Sequence, residues 1–172
     1  MASIDRPTNP FFDGLKLYAP ILWIAGVVAL VSAAVMLAHG LALTHWMHGW
    51  MGGVLVIFSL FKLFDTKAFA ADFSKYDLLA MRFRPYARVY PFIELGLGIA
   101  FLTFFMPAVA HLLTIIVFGF GLVGVIKALR EGRDLQCACV GRMLNLPLSR
   151  VAVFENSTMV IMSLVMLVTM TV

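Results

Sequence analysis

The chain has 172 residues, 62% of them apolar and 13% charged, with a mean hydropathy of +0.98 and a formal net charge of +4. That composition leaves too little polar surface for a water-soluble globule and indicates one polytopic membrane domain. The positive charge implies no nucleic-acid partner, because the basic residues flank apolar spans, where the lipid bilayer presents anionic headgroups.

Residues 1–16 form a short polar segment containing Arg6 and Lys16. From Leu17 to Phe61, 45 residues pass without an Asp, Glu, Lys or Arg, whereas one crossing needs about 20 residues. Two helices are therefore expected, at about 17–38 and 47–64, joined by a turn from His39 to His45 with Trp46 and Trp50 in an interfacial aromatic belt. The first is long, follows few basic residues and precedes no small-residue cleavage site, so it is expected to be retained rather than removed as a signal peptide. Residues 65–87 are polar and read as a surface loop with room for an amphipathic helix. The next apolar run contains a single charge, Glu94, and breaks at Met106-Pro107, giving helices at about 88–106 and 108–127. A second basic loop, 128–150, leads to a final helix at 151–172, whose only charge is Glu155.

The expected fold is all-α, with five transmembrane helices. Counting crossings puts the N-terminal segment and both basic loops on one side. All 13 lysines and arginines fall in three stretches on that side: Arg6 to Lys16, Lys62 to Arg88 and Lys127 to Arg150. Basic residues collect on the cytoplasmic face. The reading is a bacterial inner-membrane protein with a cytoplasmic N-terminus and a periplasmic C-terminus. Glycines at 49, 53, 96, 98, 119, 121 and 124 permit close helix contacts, so a compact bundle without an aqueous pore is expected.

Cys137-Ala138-Cys139 lies in the second basic loop. In an extended backbone residues i and i+2 share a face, so the two sulfurs can exchange a disulfide or hold a soft metal ion. Such a disulfide closes a small, strained ring of the labile, catalytic kind, and nearby Lys127, Arg133 and Arg142 favour the thiolate. The alternative is two small apolar residues at a loop–helix junction. Glu94 and Glu155 are functional candidates because ionisable groups inside spans are costly. Each lies roughly 8–9 Å inside its span from the basic side. Lys62 enters from the same side and can pair with Asp65 or join Glu94, Glu155 and Asn156 beside the cysteines, either as a proton relay or as an ion pair that holds helices together. On the opposite side lie His39, His45, Met47, His48, Met51 and His111. Imidazole and thioether ligands suit copper, with His45, His48, Met47 and Met51 the candidate ligands, although methionines also fill gaps between helices. No phosphate-binding glycine loop, serine-hydrolase elbow or metalloprotease motif is present.

Several motifs in order resemble the MauE and DoxX-like membrane families. They are Phe61-Lys62-Leu63-Phe64-Asp65-Thr66-Lys67, Tyr76-Asp77-Leu78-Leu79-Ala80, Tyr90-Pro91-Phe92-Ile93-Glu94-Leu95-Gly96, Cys137-Ala138-Cys139-Val140-Gly141 and Phe154-Glu155-Asn156. The resemblance runs over about residues 47–172. It implies a DoxX-like four-helix bundle, here preceded by one extra helix, and a site at Cys137, Cys139, Glu94 and Glu155. MauE proteins are associated with methylamine utilisation and with processing, transport or maturation of a disulfide-rich dehydrogenase subunit.

Three functions follow from these readings. In the first, Cys137 and Cys139 perform thiol-disulfide exchange with a thioredoxin-like or glutaredoxin-like partner, with Glu94, Glu155 and Lys62 handling the proton. No second cysteine pair exists to carry electrons across the membrane within the chain. In the second, the protein handles copper, binding Cu(I) through Cys137 and Cys139 and through the His/Met cluster. In the third, it is a non-catalytic membrane assembly factor.

Overall fold

The computed structural model describes residues 10–40, 42–131 and 148–171, with side chains at 19, 21–40, 42–131 and 152–170. The cysteine pair, Arg133 and Arg142 lie outside the described residues. In chain order the helices are α1 (Pro10–His39), α2 (Leu43–Phe64), α3 (Thr66–Phe73), α4 (Leu78–Arg82), α5 (Arg84–Leu102), α6 (Pro107–Arg130) and α7 (Leu148–Thr171). Among the described residues, four stretches are long and apolar enough to cross a bilayer: Ile21–His39, Leu43–Phe64, Pro107–Arg130 and Ala152–Met170. The chain is thus an all-α, multi-pass membrane protein. Helix α5 has 19 residues, but Arg84, Arg88 and Glu94 dilute its apolar character.

The main packed pairs are α6 with α7 and α2 with α5, while α1 lies against α2. Helix α1 is peripheral: 11% of its apolar stretch is buried, against 44% for α2. It is fastened by two indole groups of α2, with Trp46 Nε1 donating to the Ala29 carbonyl at 3.0 Å and Trp50 Nε1 to that of Ala25 at 3.1 Å. Helices α2 and α5 approach so closely at Gly52 and Gly98 that a Cβ on Gly52 would stand 2.8 Å from the Gly98 carbonyl oxygen. Small residues permit such backbone contact. Gly124 of α6 does the same for the loop before α4, where a Cβ would meet the Tyr76 carbonyl at 2.6 Å.

The helix boundaries differ from those expected at identifiable places. Helix α2 starts at Leu43 rather than 47, because Gly40, at φ +62°, ends α1 in the left-handed region and leaves a very short turn. The 65–87 segment is largely helical. Asp65 caps α3 by accepting from the Ala68 amide at 2.9 Å, and Asp77 caps α4 by accepting from the Ala80 amide at 2.8 Å. The Lys62 ammonium pairs with Glu94 and Glu155. Helix α5 ends at Leu102, four residues before the expected 106. The chain closes there with Phe105 N–H donating to the Ala100 carbonyl at 2.9 Å and Phe104 N–H to that of Phe101 at 3.3 Å. This is the Schellman pattern, with Phe104 in the left-handed position glycine usually takes, at φ 54°. Met106 is also left-handed, and Pro107 opens α6 at a position where its missing N–H costs nothing.

Candidate functional site

Two polar groupings are buried in the bundle. The first joins α2, α5 and α7. Lys62 lies in the last turn of α2, and its long stem carries the ammonium between the helices, where Nζ donates to Glu94 Oε1 at 2.6 Å and Oε2 at 2.7 Å, and to Glu155 Oε1 at 3.4 Å. The three residues are 2%, 0% and 6% exposed. Aromatic rings close the site: Nζ lies 5.4 Å from the Tyr90 ring centroid and 5.9 Å from that of Phe69, distances at which a ring face attracts a cation. Phe73 packs on Tyr90 at 4.4 Å between centroids and extends this cover. Asn156, beside Glu155, is buried against Gly121.

Charge arithmetic gives this cluster its chemistry. One ammonium and two carboxylates carry a net charge of −1 in a place shielded from water, and a single proton on either carboxyl makes the site neutral. The cluster thus holds one more carboxyl than cation between three helices.

The second grouping joins α2, α6 and α7 near the opposite ends of these helices. His48 Nδ1 lies 2.8 Å from the Thr44 carbonyl, which can only accept, so this nitrogen carries a hydrogen. In the neutral ring His48 Nε2 is then an acceptor, and His111 Nε2, 3.3 Å away, is its donor. That leaves His111 Nδ1 to accept from the Ser163 hydroxyl at 3.3 Å. The result is a one-way chain from Ser163 through His111 and His48 to Thr44, with both tautomers set by its terminal carbonyl. Phe101 and Phe104 enclose the rings; Phe104 lies 4.9 Å from both His45 and His48. His45 Nδ1 is buried without a hydrogen-bond partner among the described residues.

Lys62, Glu94 and Glu155 thus come together, while Cys137 and Cys139 lie outside the described residues. All four residues expected to form a His/Met grouping lie on α2. His48 pairs with His111 rather than with His45, Met47 is half-buried and Met51 is wholly buried in the core. Among the described residues no group of three or more His, Cys, Asp or Glu side chains is placed to hold a metal ion. Sequence reasoning left Ser163 and Phe104 out of any site and gave His111 no partner. The available signal was polarity inside an apolar span, which marks His111 and Ser163 by the same rule that marked Glu94 and Glu155.

Outside the spans, Asp77 is fully buried in the turn before α4, and its Oδ2 has no hydrogen-bond partner among the described residues. Burial raises the Asp77 carboxyl above the usual range, outweighing the opposing pull of the Ala80 and Leu79 amides.

Apolar helices enclosing a few buried ionisable groups define an integral, multi-pass membrane protein. The family model of methylamine utilisation protein MauE matches residues 41–169, and the chain belongs to this family. Helix α1 precedes the matched region. No curated protein and no solved structure matches the chain.

Proposed function

We propose that this MauE-family chain is a membrane thiol-disulfide exchange protein in which Cys137 and Cys139 react with a thioredoxin-like or glutaredoxin-like partner and the Lys62–Glu94–Glu155 cluster buffers the proton. The observation that carries this reading is the buried cluster, with its net negative charge. The segment that holds the cysteines leaves α6 after Arg130 and enters α7 at Leu148. Glu155 is seven residues into α7, about 10 Å along the helix at 1.5 Å per residue. In the exchange, one cysteine thiolate attacks the partner disulfide and forms a mixed disulfide. The second cysteine then resolves it, releasing the partner dithiol and leaving Cys137 and Cys139 oxidised. Two electrons pass to the partner, and the protons lost by the two thiols appear on the partner's sulfurs, with Glu94 or Glu155 as an intermediate holder.

This reading includes α5 as a fifth crossing and places the basic face, the N-terminus and the cysteines in the bacterial cytoplasm, where thiols rest reduced. A reporter fused after Val172 is expected to report a periplasmic C-terminus. Purified protein is expected to lose two free thiols reversibly on mild oxidation, and Cys137→Ser or Cys139→Ser alone to trap a mixed disulfide with the partner. Absence of any trapped species from both single variants would overturn the exchange reading.

Copper handling draws on one separate observation, the two facing Nε2 atoms of His48 and His111. It requires stoichiometric copper in the purified protein, lost with His48→Ala or His111→Ala as well as with the cysteines.

A further inference from the structure

Helices α3 and α4 and the first turn of α5 enclose a cleft of about 700 Å³. Its cationic lining comes from Lys67 and Lys75 on one wall and Arg84 and Arg88 on the other, and no acidic residue lines it. Lys75 is paired with Asp72 at the rim. Lys67, Arg84 and Arg88 are exposed and form no ion pair among the described residues. The floor is made by small side chains, including Ala70, Ala71 and Ala80, which keep the concavity open. Three unneutralised cations gathered in one hollow repel each other and focus a positive field on its centre.

The chemistry of an occupant follows from the placement of these groups. Arg84 and Arg88 are one helical turn apart, so their guanidinium groups share a face of α5, and each planar fork suits two oxygens of a phosphate. The cleft sits where α2 has ended at Phe64 and α5 begins at Arg84, at the boundary between apolar spans and polar segments. Large apolar side chains are exposed in the same region: Phe64 (87%), Phe83 (60%) and Met81, which also lines the cleft. A charged hollow with an apolar border matches an amphiphile, with phosphate in the cleft and acyl chains beside the phenylalanines. We propose that this cleft binds the phosphate of an anionic phospholipid headgroup. The site is independent of the thiol chemistry proposed above.

The test is a lipid titration of the full chain in detergent, read by native mass spectrometry, with phosphatidylglycerol and with zwitterionic phosphatidylcholine. Each cation near an anionic headgroup contributes about fivefold in affinity, so Arg84→Gln with Arg88→Gln is expected to weaken phosphatidylglycerol binding about 25-fold. Arg82→Gln with Arg130→Gln removes the same charge outside the cleft and is expected to weaken it less than about threefold. Exposed side chains are altered in both pairs, and unchanged helical circular dichroism verifies the fold. Equal losses in the two double variants, or equal binding of the two lipids by wild type, would overturn the proposal in favour of diffuse surface attraction. Binding of inorganic phosphate that the cleft substitutions abolish, with no retention of phosphatidylglycerol by wild type, would overturn the lipid assignment in favour of a soluble phosphate ester.

Discussion

The two buried polar groupings share α2 but are built on opposite principles. Lys62 and His48 are fourteen residues apart, about 21 Å along the helix. At Lys62 three ionisable groups meet with unequal charge, one cation against two carboxyls. At His48 every donor finds one acceptor, and the chain is complete while neutral. The unequal set leaves one buried carboxyl in excess of the cation. The neutral chain fixes the orientation of two rings and, through them, the packing of α2, α6 and α7. The difference teaches that buried ionisable groups are accommodated in two ways, as an unbalanced set of charges or as a closed neutral chain of hydrogen bonds.

Substitutions can break this contrast, beginning with the charged end. Lys62→Met leaves two carboxyls buried without their cation and is expected to destabilise the protein by about 3–5 kcal/mol, measured by denaturant titration in micelles. Adding Glu94→Gln and Glu155→Gln to that variant is expected to restore most of the loss. If the triple variant stays as unstable as the single one, the cluster is not the charge-imbalanced unit described above. Of the two carboxyls, Glu94→Gln is expected to cost more than Glu155→Gln, since Glu94 holds the ammonium through both oxygens while Glu155 stands at 3.4 Å.

At the neutral end, His111→Ala strands the acceptor of His48 and the hydroxyl of Ser163, for an expected loss of about 1–3 kcal/mol. The folded chain is complete without charge, whereas a histidine of the unfolded chain takes up a proton around its ordinary value of about 6.5, so the contribution of His111 is expected to be constant above about pH 7.5 and to fall toward pH 6. A wild-type minus variant difference that stays level or grows toward pH 6 would show that the folded pair takes up the proton as well.

Asp77 sharpens the comparison outside the spans. Asp77→Ala removes the cap of α4 and is expected to cost about 1 kcal/mol, whereas Asp77→Asn keeps the accepting oxygen. The folded-state carboxyl is raised, so its favourable contribution is complete below the ordinary carboxylate range and is lost as pH rises through the raised value. Thermal unfolding is therefore expected to show the asparagine variant gaining on wild type as pH increases from 4 to 7, and the two converging in acid. A gap that widens in acid would contradict this sign. The smallest effect is expected at Phe104→Gly, where relief of the left-handed backbone, roughly 1 kcal/mol, offsets the lost ring contacts with His45 and His48; a change in melting temperature of only a few degrees is expected.

Much of this was readable from residues alone. Glu94 and Glu155, each a lone charge in an apolar run, stand out as candidates from the sequence alone, and Lys62 enters from the same side. Its partner was less legible. Asp65, three residues along, offered the local pairing; its Oδ1 caps α3, and the ammonium turns inward to Glu94. His48 was noticed for its neighbours on α2, yet its partner comes from α6, 63 residues away. Spacing rules along one helix have no means of registering such a contact. Likewise, the break before Pro107 was visible, but not the Schellman turn that ends α5 at Leu102 and swings Phe104 over the two histidines.

By itself the sequence determined the membrane class, the apolar stretches, the family and the residues that burial would make expensive, because these depend on composition and on the local cost of placing charge in hydrocarbon. Only the tertiary structure decided who partners whom: Lys62 with two glutamates, His48 with His111 and Ser163, and Lys67 across a cleft from Arg84 and Arg88. Those pairings depend on how helices distant in the chain approach one another. That approach is governed by contacts such as Gly52 on Gly98, whose effect is exerted across the bundle rather than along it.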